Sequence, residues 1–280
     1  MRFLPLRDLI AEHLQDGQTV ALEGFTHLIP FAAGHEIIRQ GRRDLHLVRM
    51  TPDLIYDQMI GAGCARALTF SWGGNPGVGS LHRLRDAVEH GWPRPLELHE
   101  HSHAGMAAGY TAGAARLPFG MLRGYAGTDL DRVNPQIRRV ACPYTGEELA
   151  TVPALNPDVT VIHAQKADRR GNVHLSGIIG AQKEAALAAR TLLVTVEEVV
   201  EDLEAPLNAV IIPGFAVTAV AAVPGGAHPS YAQGYYARDN AFCRAWDEIS
   251  RDRDTFLRWL DGHVRGTQDH AQFLASLEQP

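Results

Sequence analysis

The sequence predicts an α/β fold of parallel strand–helix units, followed by a helical segment at its C-terminal end. Three observations carry this. Short apolar, β-rich runs alternate with helical patterns. Several of these runs lead through a glycine-containing turn into a helical pattern. Beyond Arg238 the chain turns amphipathic and polar, with Trp246, Ile249, Phe256, Leu257 and Leu260 at helical spacing.

In chain order, TVALEGF (Thr19–Phe25) reads as a strand entering a glycine turn, and PFAAGHEIIRQG as a helix ended by Gly41. LHLVRM (Leu45–Met50) is a strand. TPDLIYDQMIGAG is a helix with Thr51 as its expected cap, Pro52 at its first position and Gly61 near its end. ARALTFSW (Ala65–Trp72) is a strand, followed by the loop GGNPGVG and a helix over SLHRLRDAVEHG with Ser80 as cap. LELHEH is a strand and SHAGMAAGYTAGAAR a helix of small residues. In the second half, DVTVIHAQKADRRGNV is a strand and turn, AQKEAALAAR a helix, TLLVTVEEVV begins as a strand, and AVIIPGF and AVTAVAAV are further strands. No low-complexity linker and no internal repeat divides the chain, so one domain over 1–280 is expected. Its core spans about 18–236 and its helical segment 237–280.

Of the 280 residues, 45% are hydrophobic and 21% charged, with net charge −6 and pI near 6.1. No basic patch dominates, which argues against nucleic acid as a partner. Cys64, Cys142 and Cys243 are odd in number and far apart, so neither a disulfide framework nor a zinc ribbon is expected. The start lacks a signal-peptide core and no apolar run is long enough for a membrane span. A reduced, cytoplasmic protein is the default.

Four stretches can carry chemistry. In EGFTHLIPFAAG, the turn at Gly24 and Phe25 joins a strand to a helix. Amide groups freed there can bind an oxyanion or phosphate, or simply close a tight turn. The loop with Gly73, Gly74, Asn75, Gly77 and Gly79 allows close approach of a ligand to backbone. It lacks the lysine of a phosphate loop and the spacing of a dinucleotide fingerprint. In HEHSH, alternation along a strand puts His99, His101 and His103 on one face. A metal site, an acid–base site and a histidine-rich strand end all fit that spacing, although no fourth ligand is marked nearby. Glu100 points the other way at the C-terminal end of a parallel strand, where open α/β sheets place ligands. Finally, AQKADRRGNV, with Lys166, Asp168, Gly171 and Asn172, has turn chemistry.

Taken in order, GFTHLIPFAAGHEIIRQG, VRMTPDLIYDQMIGAG, GNPGVGSLHRLRDAVE, GAARLPFGMLRGYAGTDL, AQKADRRGNV and VPGGAHPSYAQGYYARDN resemble the α subunit of family I coenzyme A transferases of the glutaconate and 3-oxoacid type. The resemblance runs from about Val20 to Asn240, and the order of the motifs is more specific than any one of them. It implies an open, mainly parallel sheet with helices on both faces. It also implies that acyl-CoA and carboxylic acid substrates are handled together with a separate β subunit. No permanently bound cofactor or metal is implied. In that family a glutamate carboxylate attacks the thioester, giving an acyl–glutamyl anhydride and then an enzyme–CoA thioester. The nucleophile usually belongs to the β chain, so this chain would supply half of the pocket.

On this reading Gly24 and Phe25 help form an oxyanion or carboxylate pocket. Gly74, Asn75, Gly77 and Gly79 border the CoA or acyl site, and Glu100, His101 and Ser102 line the reacting centre, with Glu100 catalytic. A related group, the CoA-dependent hydrolases of steroid-ring degradation, uses an α-chain glutamate before its LPF motif. LPF is Leu117–Phe119 here, with Glu100 upstream in the comparable strand end, or His103 in that position instead. Two rivals therefore stand beside the transferase: such a ring-opening hydrolase, and a non-catalytic scaffold that only stabilises its partner.

Overall fold

The computed structural model describes residues 2–76 and 79–277. After β1 (Arg2–Phe3) and α1 (Leu6–His13), four strand–helix units run β2 (Thr19–Glu23), α2 (Phe31–Arg39), β3 (Leu45–Val48), α3 (Leu54–Gly61), β4 (Ala65–Phe70), α4 (His82–His90), β5 (Glu97–Glu100) and α5 (His103–Ala114). An excursion follows: β6 (Phe119–Leu122), the short α6 (Leu130–Val133), β7 (Arg138–Ala141) and β8 (Glu148–Pro153). The chain returns through β9 (Val159–Asp168), β10 (Val173–Leu175), α7 (Gln182–Ala188), β11 (Thr191–Val200), β12 (Val210–Ile212) and β13 (Ala219–Ala222). It ends in α8 (Asn240–Arg251), α9 (Arg253–Trp259), a π-helical turn at Leu260–Arg265 and α10 (His270–Leu277).

The main sheet has the order β1-β13-β11-β9-β2-β3-β4-β5, with every neighbouring pair parallel. β10 adds antiparallel to β9 and β12. The chain builds outward from β2 in one direction and from β9 in the other, so the sheet changes direction between these central strands. Open α/β sheets bind ligands beyond the C-terminal ends of strands at such a point.

Alternation sorts the side chains. Val20, Leu22, Leu45, Leu47 and Leu68 face α1–α3 and the C-terminal helices. Ala21 and Val48 face Met106 and Tyr110 of α5 and Ala185 and Ala188 of α7. The C-terminal helices seal the first face: Trp246 is fully buried and donates from Nε1 to Asp57 of α3 at 3.0 Å. Among the described residues no helix is long and apolar enough to cross a membrane.

Three sequence expectations change. The cap of α3 is Asp53, whose carboxylate accepts from the Ile55 amide, in place of Thr51. α4 starts at His82 with no side-chain cap, so Ser80 stays outside it. β5 ends at Glu100 and α5 begins at His103, so the alternation expected across HEHSH breaks at the junction. The antiparallel sheet β6-β8-β7 adds a layer that the sequence pattern does not reveal. It covers α5 through Tyr125, Ile137, Ala150 and Val152.

Candidate active site

The turn after β2 is built around residues held in costly conformations. A Cβ on Gly24 would lie 2.7 Å from the Leu28 carbonyl oxygen and 2.9 Å from that of His27. Thr26 and Leu28 have φ of 58° and 52°. Non-glycine residues pay about 1–3 kcal/mol each for such conformations and hold them only when their surroundings enforce it. Here they do. The Leu28 amide donates to the Tyr231 carbonyl at 3.0 Å, and Ser230 Oγ donates to the Thr26 carbonyl at 2.9 Å. Gln182 Nε2 reaches the Glu23 and Leu28 carbonyls, both at 3.2 Å. His27 is buried and accepts at Nε2 from the Gln233 amide, so its Nδ1 proton points to the Ile178 carbonyl. Burial lowers its pKa to about 4, consistent with this neutral form. The VPGGAHPSYAQGYY segment thus braces the turn.

Beneath the turn lies a buried charge cluster. Arg49, at the end of β3, chelates Asp53 at 2.9 and 3.0 Å and donates to the Gly24 carbonyl at 2.9 Å. Burial opposes its charge, and the Asp53 and Glu23 carboxylates more than offset that, raising its pKa. Glu23, fully buried, accepts from the Met50 amide at 2.9 Å and from Tyr110 Oη at 2.8 Å. Burial raises its pKa, against the pull of Arg49.

Above this floor a cavity of about 400 Å³ opens at the C-terminal ends of β2, β3 and β4. Phe25, Trp72 and Pro76 form its apolar walls, and Thr26, Thr51 and His103 add polar atoms above Arg49 and Asp53. The His103 and Phe25 rings meet edge to face at 6.5 Å. A larger groove of about 490 Å³ lies between α4 and the start of α9. Asp86 there is bonded to both Arg83 and Arg253, and Arg85 to Glu89.

The structure brings only part of the expected set to this cavity. Phe25 lines it, and Gly24 fixes the turn that presents Phe25. Gly74 carries the adjacent Trp72: a Cβ there would strike the indole at 2.6 Å. Asn75 is turned to the C-terminal helices, donating to the Cys243 carbonyl at 2.7 Å, and a Cβ on Gly79 would lie 2.5 Å from Asp247 Oδ1. Both therefore anchor the loop to α8 rather than line the cavity. Gly77 lies outside the described residues.

The three imidazoles of HEHSH separate. His99 lies near His46, with ring centroids 5.3 Å apart. His101 is buried between Tyr125 and Asn134, and burial lowers its pKa to about 4. His103 reaches Ser71 at 3.2 Å and the cavity. Ser102 caps α5 by accepting from the Gly105 amide, so it is spent on the helix. Glu100 is exposed at the end of edge strand β5, in register with Phe70 and on the sheet face opposite α5. Among the described lining residues, His103 stands where Glu100, His101 and Ser102 were expected. Asp168 accepts from Arg170 and Asn172, as turn chemistry requires.

The sequence motifs do not single out Glu23, Arg49, Asp53 or Gln182, and they name His103 only as one of the three histidines of HEHSH. Two of these carry a signal nonetheless: an ionised residue inside or ending an apolar strand must find a partner when buried. Glu23 in TVALE and Arg49 after LHLV are such residues.

The family model for coenzyme A transferase matches residues 5–222. One subunit of the 3-oxoadipate CoA-transferase of Pseudomonas knackmussii is 66% identical over 276 residues, 99% of this chain and 98% of that protein. The crystal structure of glutaconate coenzyme A-transferase from Acidaminococcus fermentans superposes with a TM-score of 0.91 at 30% identity, covering 100% of this chain and 93% of that one. The cholesterol ring-cleaving hydrolase IpdA subunit of Rhodococcus jostii is 28% identical, covering 96% of this chain and 94% of that protein.

Proposed function

This chain belongs to the coenzyme A transferase family, and we propose that it is the α subunit of a 3-oxoadipate CoA-transferase. It works with a separate β subunit to move coenzyme A between an acyl-CoA thioester and a carboxylic acid. The observation that carries the choice of acid is the 66% identity, over essentially the whole chain, to a protein named for 3-oxoadipate.

The site supports a shared pocket. Asp53 is the one carboxylate among the described lining residues, and both its oxygens are bonded to Arg49. A nucleophile must therefore reach the cavity from elsewhere, and we assign it to a glutamate of the β subunit. Its carboxylate attacks the thioester carbonyl, giving an acyl–glutamyl anhydride and CoA thiolate. The thiolate attacks the glutamyl carbonyl, giving glutamyl–CoA and the free acid. A carboxylate of 3-oxoadipate then takes the first acid's place and the steps run in reverse. Gly24 and Phe25 shape the wall where charge develops on the carbonyl oxygen. Gly74 and Gly79 set the position of the Trp72–Pro76 segment.

We keep Glu100 as the candidate catalytic group of this chain, at an open sheet edge that the β subunit can cover; Asn134 Nδ2 donates to its carbonyl at 2.8 Å and lies 3.2 Å from His101 Nε2. This scheme uses no permanently bound cofactor or metal and places the protein in the cytoplasm, where CoA thioesters are made. The test is to co-purify the chain with its β subunit, then assay CoA transfer across a panel of acids. Preference for 3-oxoadipate supports the reading; preference for glutaconate moves it to the other branch; thioester or ring hydrolysis without an acid acceptor overturns it.

A further inference from the structure

His103 is the one imidazole among the described residues of the cavity wall, and its hydrogen-bond partner fixes which nitrogen faces the substrate. Ser71 Oγ lies 2.6 Å from the Met50 carbonyl oxygen. A carbonyl only accepts, so the single hydroxyl proton of Ser71 is committed there. Ser71 can then only accept from His103 Nδ1, 3.2 Å away. Nδ1 therefore carries a proton in either charge state, and Nε2 is left for the cavity. The ring cannot meet the substrate with Nδ1 without breaking that bond.

The cavity's other features suit one end of an acid. Arg49 and Asp53 neutralise each other on the floor, so neither offers a free charge. Phe25 and Trp72 accommodate a carbon chain. With the reacting carbonyl at the Gly24–Phe25 wall and the nucleophile supplied by the β subunit, the wall formed by Trp72 and His103 is left for the other end of the substrate. His103 is also the first residue of α5, whose partial positive end favours an anion at the same place.

We propose that His103 Nε2 holds the non-reacting carboxylate of a dicarboxylic acid substrate, with Ser71 as the residue that orients it. The inference rests on the transferase reading above and adds to it a determinant of specificity in this chain. Nε2 meets a carboxylate oxygen as a donor, so binding of the acid requires the imidazolium. The charged groups facing it from the cavity, Arg49 and Asp53, cancel, and Ser71 from the end of β4 is neutral.

The experiment uses the complex with its β subunit. It measures KM and kcat for a dicarboxylic acid and for the monocarboxylic acid of equal length, in the parent, His103→Ala and His103→Gln. We expect His103→Ala to raise KM for the dicarboxylate by about tenfold or more, as loss of a charge-assisted hydrogen bond does. KM for the monocarboxylate and kcat should change less than about threefold. The amide nitrogen of His103→Gln can donate near the Nε2 position, so this variant should hold KM for the dicarboxylate below that of His103→Ala. Should His103→Ala fail to assemble, His103→Leu takes its place with the same expectation. An unchanged preference for the dicarboxylate in the variant that removes the donor overturns the inference while leaving the transferase reading intact. A parent complex that transfers CoA to neither acid overturns both.

Discussion

Arg49 Nη2 donates to the Gly24 carbonyl at 2.9 Å while the same guanidinium chelates Asp53. One side chain thereby ties the end of β3 to the turn after β2 and to the cap of α3. The geometry of the cavity mouth follows from this link, because Phe25 is the next residue along the turn.

Removing the guanidinium leaves Asp53 and Glu23 buried without their cation. Breaking a buried pair from one side costs about 3–5 kcal/mol. Arg49→Met should lose stability of that order in urea unfolding, and Arg49→Met combined with Asp53→Leu should recover part of it. A loss below about 1 kcal/mol in the single variant would show that the pair does not hold the turn.

Gly24→Ala should act on activity more than on assembly. Its Cβ meets two carbonyl oxygens at under 3 Å, so the 24–28 turn must shift and carry Phe25 with it. We expect at least a tenfold loss of kcat/KM in the reconstituted complex, with a stability loss of about 1–3 kcal/mol, the usual cost of overpacking. Parental turnover in this variant would mean that the turn does not shape the pocket.

His270 sets a pH dependence. Its Nε2 donates to the Gly225 carbonyl at 2.8 Å, and its buried Nδ1 has no partner within the described residues. Burial lowers its pKa to about 4, from an ordinary value of 6.5. Between these values the unfolded chain binds the proton and the folded chain does not, so this group's contribution to stability falls as pH falls from 6.5 toward 4. The slope is about 1.4 kcal/mol per pH unit. Asp57, raised by burial from 3.8 to about 7, acts in the opposite sense across this whole range, so total stability is not the readout. The readout is the difference from His270→Gln, which keeps a donor and does not titrate. Denaturation curves at about pH 7 and pH 5 should show the parent losing about 2 kcal/mol more than the variant between the two. Equal losses would contradict the assignment.

Glu100→Gln separates two roles for the exposed edge of β5. If Glu100 takes part in proton transfer once the β subunit covers it, turnover should fall by at least about 10², with the complex still assembled. A change within threefold, about 0.65 kcal/mol of barrier, would remove it from the mechanism.

The parallel units are legible in the sequence because glycine turns punctuate strands of apolar residues; β11 starts at Thr191 as expected and continues through the charged Glu197 and Glu198 to Val200. The sheet β6-β8-β7 is hidden for a physical reason. Its strands are four to six residues long, β7 is exposed along its whole length, and Phe119 and Met121 of β6 face outward, which blurs the alternation. The site is half legible. Gly24 can be found because a strand-to-helix turn needs glycine. His103 cannot be distinguished from His99 and His101, because the break between β5 and α5 falls inside the motif and only tertiary contacts send the three rings to different partners.

The proposed origin of the nucleophile in the β subunit can be tested by incubating the purified complex with acyl-CoA, trapping the intermediate with hydroxylamine or borohydride, and locating the modified residue by peptide mass mapping. A β-subunit nucleophile predicts modification of a single β-chain glutamate, dependent on acyl-CoA, with Glu100 unmodified and with no trapping in this chain alone. Modification of Glu100, or trapping in the isolated chain, would contradict it.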